Sequence, residues 1–156
     1  MPTASIPRPQ RIRCKRAYEA PADDDGYRVL VDRIWPRGVS RDSLALDDWQ
    51  KALAPSTELR RWFGHEPQRW AGFYQKYYRE LEHSEAATAA LDDMLSACDG
   101  RTLTLVFAAR DTAHNNAVAL KYYIQILRSN TGFKYWVQIL SSNTEFKYYV
   151  QRNAPE

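Results

Sequence analysis

Apolar residues along this chain follow two different spacings, and the changes of spacing divide it into strands and helices. Tyr27 to Val31 is a short apolar-rich run that reads as a buried strand. Trp35-Pro36 closes it, because proline restricts the residue before it and cannot donate to a ladder. Thr102 to Ala109 is apolar on both faces, with Leu103, Leu105 and Phe107 against Val106 and Ala108, as expected of a central strand covered on both sides. Ile12 to Tyr18 alternates poorly but supplies a first strand with Ile12 and Cys14 on one face. Between the first two strands, Pro21-Ala-Asp-Asp-Asp-Gly26 reads as a solvated turn.

Helical spacing fills the interval from residue 42 to residue 100. Leu44, Leu46, Trp49 and Leu53 predict a modest helix after the caps Asp42 and Ser43. A second helix opens at Pro55-Ser-Thr-Glu58, carries Leu59, Trp62 and Phe63, and stops at Gly64. Pro67 opens the clearest amphipathic segment, with Trp70, Phe73, Tyr77 and Leu81 on one stripe. Ser84 caps another helix with Ala87, Ala90, Leu91, Met94 and Leu95 turned inward, ending near Asp99-Gly100. After the strand at 102–109, Asp111 or Thr112 caps a last helix carrying Ala117, Val118 and Leu120.

Strands alternating with helices predict an α/β fold: three layers, with a small mostly parallel sheet flanked by helices. Residues 1–9 read as a flexible tail, 10–127 as a single α/β domain and 128–156 as a C-terminal repeat extension. That extension comes from a tandem repeat of period 13, in which Lys121–Phe133 and Lys134–Phe146 match at nine of thirteen positions. A partial third copy follows at Lys147–Gln151. A β-hairpin or meander with Ser-Asn-Thr turns is the natural reading of the copies, and a helix fits the same side chains. Residues 121–127 stand between the two, since they run on directly from the last predicted helix. An aromatic repeat of this kind suits self-association through residues 121–151.

Composition narrows the class without naming a reaction. The 156 residues are 44% hydrophobic and 26% charged, in the globular range. A net charge of +3 permits an anionic ligand and is weaker than a dedicated nucleic-acid binder shows, although Arg11, Arg13, Lys15 and Arg16 keep that reading open. Cys14 and Cys98 form no Cys-x-x-Cys pair and read as reduced, packed thiols. Met1 to Gln10 is Pro-rich and lacks the apolar core of a signal peptide, and no run approaches the length of a membrane span. Cytoplasm is the expected compartment.

Polar residues with chemical potential gather where two predicted strands end. In an open α/β sheet, ligands bind just beyond the carboxyl ends of strands. Asp32, Arg33 and Arg37 follow the strand at 27–31, on a loop shaped by Trp35-Pro36-Arg37-Gly38. Their two guanidiniums suit a phosphate or carboxylate, and an internal Asp32–arginine ion pair is the structural alternative. Arg110, Asp111, His114, Asn115 and Asn116 follow the strand at 102–109, at a strand-to-helix junction whose backbone N–H groups favour an anion. Asp111 and His114 are the candidate proton carriers; Asp32, Arg33, Arg37, Arg110 and Asn115 are the candidate ligand-binding residues. Asn115 and Asn116 are poor helix formers, and one of them is placed to hydrogen-bond a ligand or a neighbouring loop. His65 in the turn before Pro67 is a weaker candidate, and His83 weaker still. No metal-ligand set, glycine-rich dinucleotide loop, phosphate loop or nucleophile elbow is present, so no metal and no cofactor is expected.

Four stretches carry a resemblance: Cys14–Tyr18, Gly26–Gly38, Ala54–Arg60 and Ala108–Leu120. On these the chain resembles the YeaO-like family of bacterial proteins over about residues 12–125. The resemblance implies a small cytosolic α/β domain and supplies no reaction. Two functions remain in view. One is a protein, with or without chemistry, that holds an anionic small molecule or nucleotide at the strand ends. The other is a non-catalytic nucleic-acid-binding or interaction protein that self-associates through its aromatic repeat.

Overall fold

A computed structural model describes residues 9–127. Four strands, β1 (Arg11–Arg16), β2 (Tyr27–Leu30), β3 (Asp48–Trp49) and β4 (Thr102–Phe107), form one sheet in the order β1-β4-β2-β3, and every pairing is parallel. The helices are α1 (Arg41–Leu44), α2 (Thr57–Phe63), α3 (Trp70–His83), α4 (Glu85–Ala97) and α5 (Asn116–Leu127). Short 3₁₀ turns lie at Asp23–Asp25, Lys51–Leu53 and Pro67–Arg69. The fold is a three-layer α/β arrangement, as the alternation of strands and helices predicts.

The two outer layers are unequal. Ile12, Val29, Val31, Leu103, Leu105 and Phe107 point into the main core, which α2, α3, α4 and α5 cover. On the opposite face, among the described residues, Ala17, Leu30 and Val106 form a small cluster with Leu44 of α1 and the half-buried Trp35, Val39, Leu46 and Trp49. The rest of that thin face is ionic. Arg13, Thr104 and Arg28 stand in one row across β1, β4 and β2. The crossover from β1 to β2 lowers Asp25 onto that row, where it bonds Arg28 at 2.7 Å and Lys15 at 3.1 Å, with Arg13 at 3.7 Å. The Thr104 hydroxyl donates to the Asp25 carbonyl at 2.6 Å. Residues 21–24 are exposed, as a solvated turn requires, but Asp25 is fully buried, because three cations on the sheet need a carboxylate above them.

The helix predicted over Leu44 to Leu53 is also not there. Ser40, rather than Asp42 or Ser43, caps α1, and left-handed Ala45 ends it after one turn. The chain then joins the sheet as β3, with the Gln50 N–H donating to the Leu30 carbonyl and the Arg28 N–H to the Asp47 carboxylate. The cause is the division of the core. Leu44, Leu46 and Trp49 pack on the thin face and Leu53 in the main core, whereas a continuous helix would bury all four on one side.

Helices α2 and α4 follow their sequence signals. Ser56 caps α2 by accepting from the Leu59 N–H and left-handed Gly64 ends it, while Ser84 caps α4 by accepting from the Ala87 N–H. Residues 121–127 are helical as the second half of α5, with Tyr122, Tyr123, Ile124 and Ile126 buried in the main core. The copies beyond them, the predicted meander and the N-terminal tail before Pro9 lie outside the described residues. No helix among the described residues is long and apolar enough to cross a membrane.

Candidate functional site

β2 and β4 are neighbours in the sheet, yet the chain leaves them in opposite directions. After β2 it passes to the thin face, where Trp35 and Leu44 pack; after β4 it turns to the thick face as α5. Adjacent strands that send their connections to opposite faces open a crevice at their carboxyl ends. The two polar clusters meet there. Asp32 Oδ1 accepts from the Asn116 side-chain amide at 3.0 Å, and Asp32 Oδ2 accepts from the Ala108 N–H at 2.9 Å. Asn116 also donates to the Val31 carbonyl at 3.0 Å. Burial pushes the Asp32 carboxyl above its ordinary value, against the opposing pull of Asn116, the Ala108 amide and Arg60.

Both loops are braced further. The Trp35 indole donates to the Val39 carbonyl and the Trp49 indole to the Asp32 carbonyl, each at 2.7 Å, with the rings edge to face 5.4 Å apart. From the end of β1, the Arg16 guanidinium donates to the Ala109 carbonyl at 2.9 Å and lies 4.9 Å over the Tyr18 ring. Tyr18 in turn donates to the Arg37 carbonyl at 3.0 Å. A closed rim of contacts therefore joins the ends of β1, β2 and β4.

The predicted site residues divide into structural and free groups. Asp32 binds backbone and Asn116, and it forms no ion pair with Arg33 or Arg37. Asn115 is buried and spent locally: its amide donates to the Asp111 carbonyl and its oxygen accepts from the Val118 N–H. Asn115 is thus the cap of α5, and neither Asp111 nor Thr112 fills that role. The chain makes an extra turn at 111–114 before the helix starts, and Asp111 closes it by accepting from the Ala113 and His114 N–H groups at 2.9 Å. Arg33, Arg37 and Arg110 are exposed, and among the described residues their guanidiniums make no hydrogen bond or ion pair.

His114 is the most chemically defined member of the site. Its Nδ1 lies 2.9 Å from Asp111 Oδ2, and its ring stands edge to face against Trp70 at 5.3 Å. An ionised carboxylate only accepts, so Nδ1 carries the proton and Nε2 is the free position. Desolvation would raise the Asp111 carboxyl, but the Ala113 and His114 contacts outweigh it and hold it below the usual carboxylate value. His65 is exposed with its ring near Phe63, and His83 is exposed with Nδ1 at the Arg79 carbonyl. Among the described residues no group of three His, Cys, Asp or Glu side chains is placed to hold a metal.

Arg33 also faces a cleft that the sequence does not announce. The cleft holds about 200 Å³ and is lined by Arg33, Ala52, Ala54, Ser56, Glu80, Leu81, Ser84 and Ala87. Ser56 fixes Glu80 there, its N–H donating to Oε1 at 2.8 Å and its hydroxyl to Oε2 at 2.5 Å. The signal available in the sequence was an acidic residue beside the Tyr77–Leu81 stripe, one turn beyond Tyr77. Arg16 stood out only as one of four basic residues on a poor strand, and nothing tied it or Tyr18 to the strand-end site.

Comparison with known proteins places these residues in a family. The family model described as the inactive DUF488-N3 subclade matches residues 11–132. The "Uncharacterized protein YeaO" of Escherichia coli (strain K12) is 41% identical over 116 residues, covering 74% of this chain and 98% of that protein. The "Uncharacterized protein Rv3073c" of Mycobacterium tuberculosis (strain ATCC 25618 / H37Rv) is 44% identical over 114 residues, covering 72% and 92%. The "Uncharacterized protein Mb3100c" of Mycobacterium bovis matches to the same extent, at 44% over 114 residues. No solved structure matches significantly.

Proposed function

The chain belongs to the inactive DUF488-N3 subclade, and from that premise we propose that it is a binding protein for an anionic small molecule or nucleotide held at the carboxyl ends of β2 and β4. One observation carries the reading: Arg33, Arg37 and Arg110 stand exposed, and among the described residues without side-chain partners, on loops that other contacts brace. Asp32, next to Arg33 in sequence, is occupied by Asn116 and the Ala108 amide, and Asp111, next to Arg110, by the Ala113 and His114 N–H groups and the His114 ring. The loops therefore keep their positive charge for an outside anion, which arginine holds in a planar, two-pronged grip. The word "inactive" in the family description supports binding over turnover.

Titration of the full chain with inorganic phosphate and with a nucleoside monophosphate, followed by amide chemical shifts, tests this. Saturable shifts should centre on residues 16–18, 33–38 and 108–114, weaken as salt is raised, and vanish when Arg37 and Arg110 are both replaced by Ala. Shifts that never saturate, or that survive the double replacement, overturn the reading.

A second reading rests on the Asp111–His114 contact at 2.9 Å. A carboxylate that orients an imidazole and leaves Nε2 free is the arrangement of a general base. In this reading a bound anion would lose a proton to His114.

A further inference from the structure

The cleft beside Arg33 has features of its own. Five of its eight lining residues are Ala or Ser, and their short side chains leave about 200 Å³ between the segment 52–56 and the α3–α4 junction. That volume lies below the roughly 300 Å³ at which drug-sized ligand sites begin, so it suits a molecule of only a few heavy atoms and is too small for a nucleotide. Charges of opposite sign stand on its walls without pairing. Among the described residues Arg33 has no partner, while the Glu80 carboxylate is held in place by Ser56. Each Glu80 oxygen takes one bond from Ser56 and keeps a second lone pair for another donor. Ser84 Oγ accepts from the Ala87 N–H, and among the described residues its own proton goes to no acceptor, so it adds a donor to the same wall. Leu81, Ala52, Ala54 and Ala87 make the remaining surface apolar.

We propose that this cleft binds a small zwitterion of the α-amino acid class, with its carboxylate on Arg33 and Ser84, its ammonium on Glu80 and a short apolar side chain against Leu81 and Ala87. An anion alone leaves Glu80 facing it with like charge, and a cation alone leaves Arg33 uncompensated. A molecule carrying both charges satisfies both walls. The inference rests on the reading of Arg33 as an anion-holding residue and goes beyond it by assigning Glu80 and the ligand class.

The experiment is an amide-shift titration of the full chain with L-valine, with 3-methylbutanoate (the same molecule without its amine) and with isobutylamine (without its carboxylate). Valine should move the amides of residues 33, 52–56 and 80–87 and bind about tenfold or more tightly than either analogue, the worth of one lost charged hydrogen bond. Exposed Arg33→Met should weaken valine to the level of isobutylamine. Glu80→Gln, which can still accept from the Ser56 N–H, should weaken it to the level of 3-methylbutanoate. Equal binding of valine and 3-methylbutanoate, lost together in Arg33→Met, overturns the zwitterion and leaves the anion reading standing. No shift in the cleft with any of the three overturns the inference, while the phosphate titration at Arg37 and Arg110 decides the proposed function separately.

Discussion

The Asp32 carboxylate and the Asn116 amide lie 3.0 Å apart, joining residues 84 positions apart in the chain. This contact ties the loop after β2 to the start of α5 and closes the bottom of the strand-end crevice. Asp32→Ala strands the Ala108 N–H and the Asn116 amide in a half-buried place. A loss of about 1–3 kcal/mol is expected in urea denaturation, the cost of leaving such groups unsatisfied. A change within a few tenths would mean that water replaces the carboxylate at no cost.

Asp32 and Asp25 should leave opposite marks on the pH dependence of stability. Burial, the largest influence on Asp32, holds its carboxyl above the ordinary 3.8, so the folded protein binds this proton more tightly than the unfolded chain. Its contribution favours the fold below 3.8 and declines as pH rises from there to the folded value. Asp25 works the other way. Desolvation would raise it, but the Ala22 amide, Lys15 and Arg28 hold it below 3.8. Its contribution is present above 3.8 and is lost as pH falls through the folded value. Denaturation from about pH 7 down to pH 3 should therefore show a steeper acid loss in Asp32→Asn than in the parent, and a shallower one in Asp25→Asn. The reverse order would contradict the burial and pairing described above.

Removing Asp25 altogether is the severest single change to the thin face. Asp25→Ala leaves Arg28 buried, with the Leu44 carbonyl at 2.8 Å as its nearest remaining partner, and leaves Lys15 without its carboxylate. Breaking a buried pair in this way costs about 3–5 kcal/mol, which calorimetry or urea unfolding should register.

Gly26, just before β2, has φ +65°, and a Cβ there would run into the Thr102 carbonyl on β4. Gly26→Ala should destabilise by about 1–3 kcal/mol from backbone strain alone, before the clash is relieved. Hydrogen exchange should report it first as faster opening at Tyr27 and Arg28, where β2 pairs with β4.

Asp111 sets the tautomer of His114. Long-range proton–nitrogen NMR should find the proton on Nδ1 in the parent, and Asp111→Ala should release the ring to the Nε2–H form that free imidazole prefers. An unchanged tautomer would remove the basis for proton transfer at this site.

Much was legible in the sequence because it depends on local interactions. Ser56, Gly64 and Ser84 cap or end helices within three or four residues of themselves, and the Trp70–Leu81 stripe needs only the helical period to find its buried face. The apolar run at 102–109 likewise showed that its strand is central, since both its faces had to be covered. What the tertiary structure decided depends on partners distant in the chain. Asp25 reads as one acid of three in a turn until Arg13, Lys15 and Arg28 arrive from two strands. Trp49 reads as helical until β2 offers it an edge to pair with. The meeting of Asp32 with Asn116, and of Arg33 with Glu80 across one cleft, follows from β4 entering the sheet between β1 and β2 and from α3 and α4 packing over it. The sequence placed the charged residues at strand ends; the order of the strands decided which of them stand together.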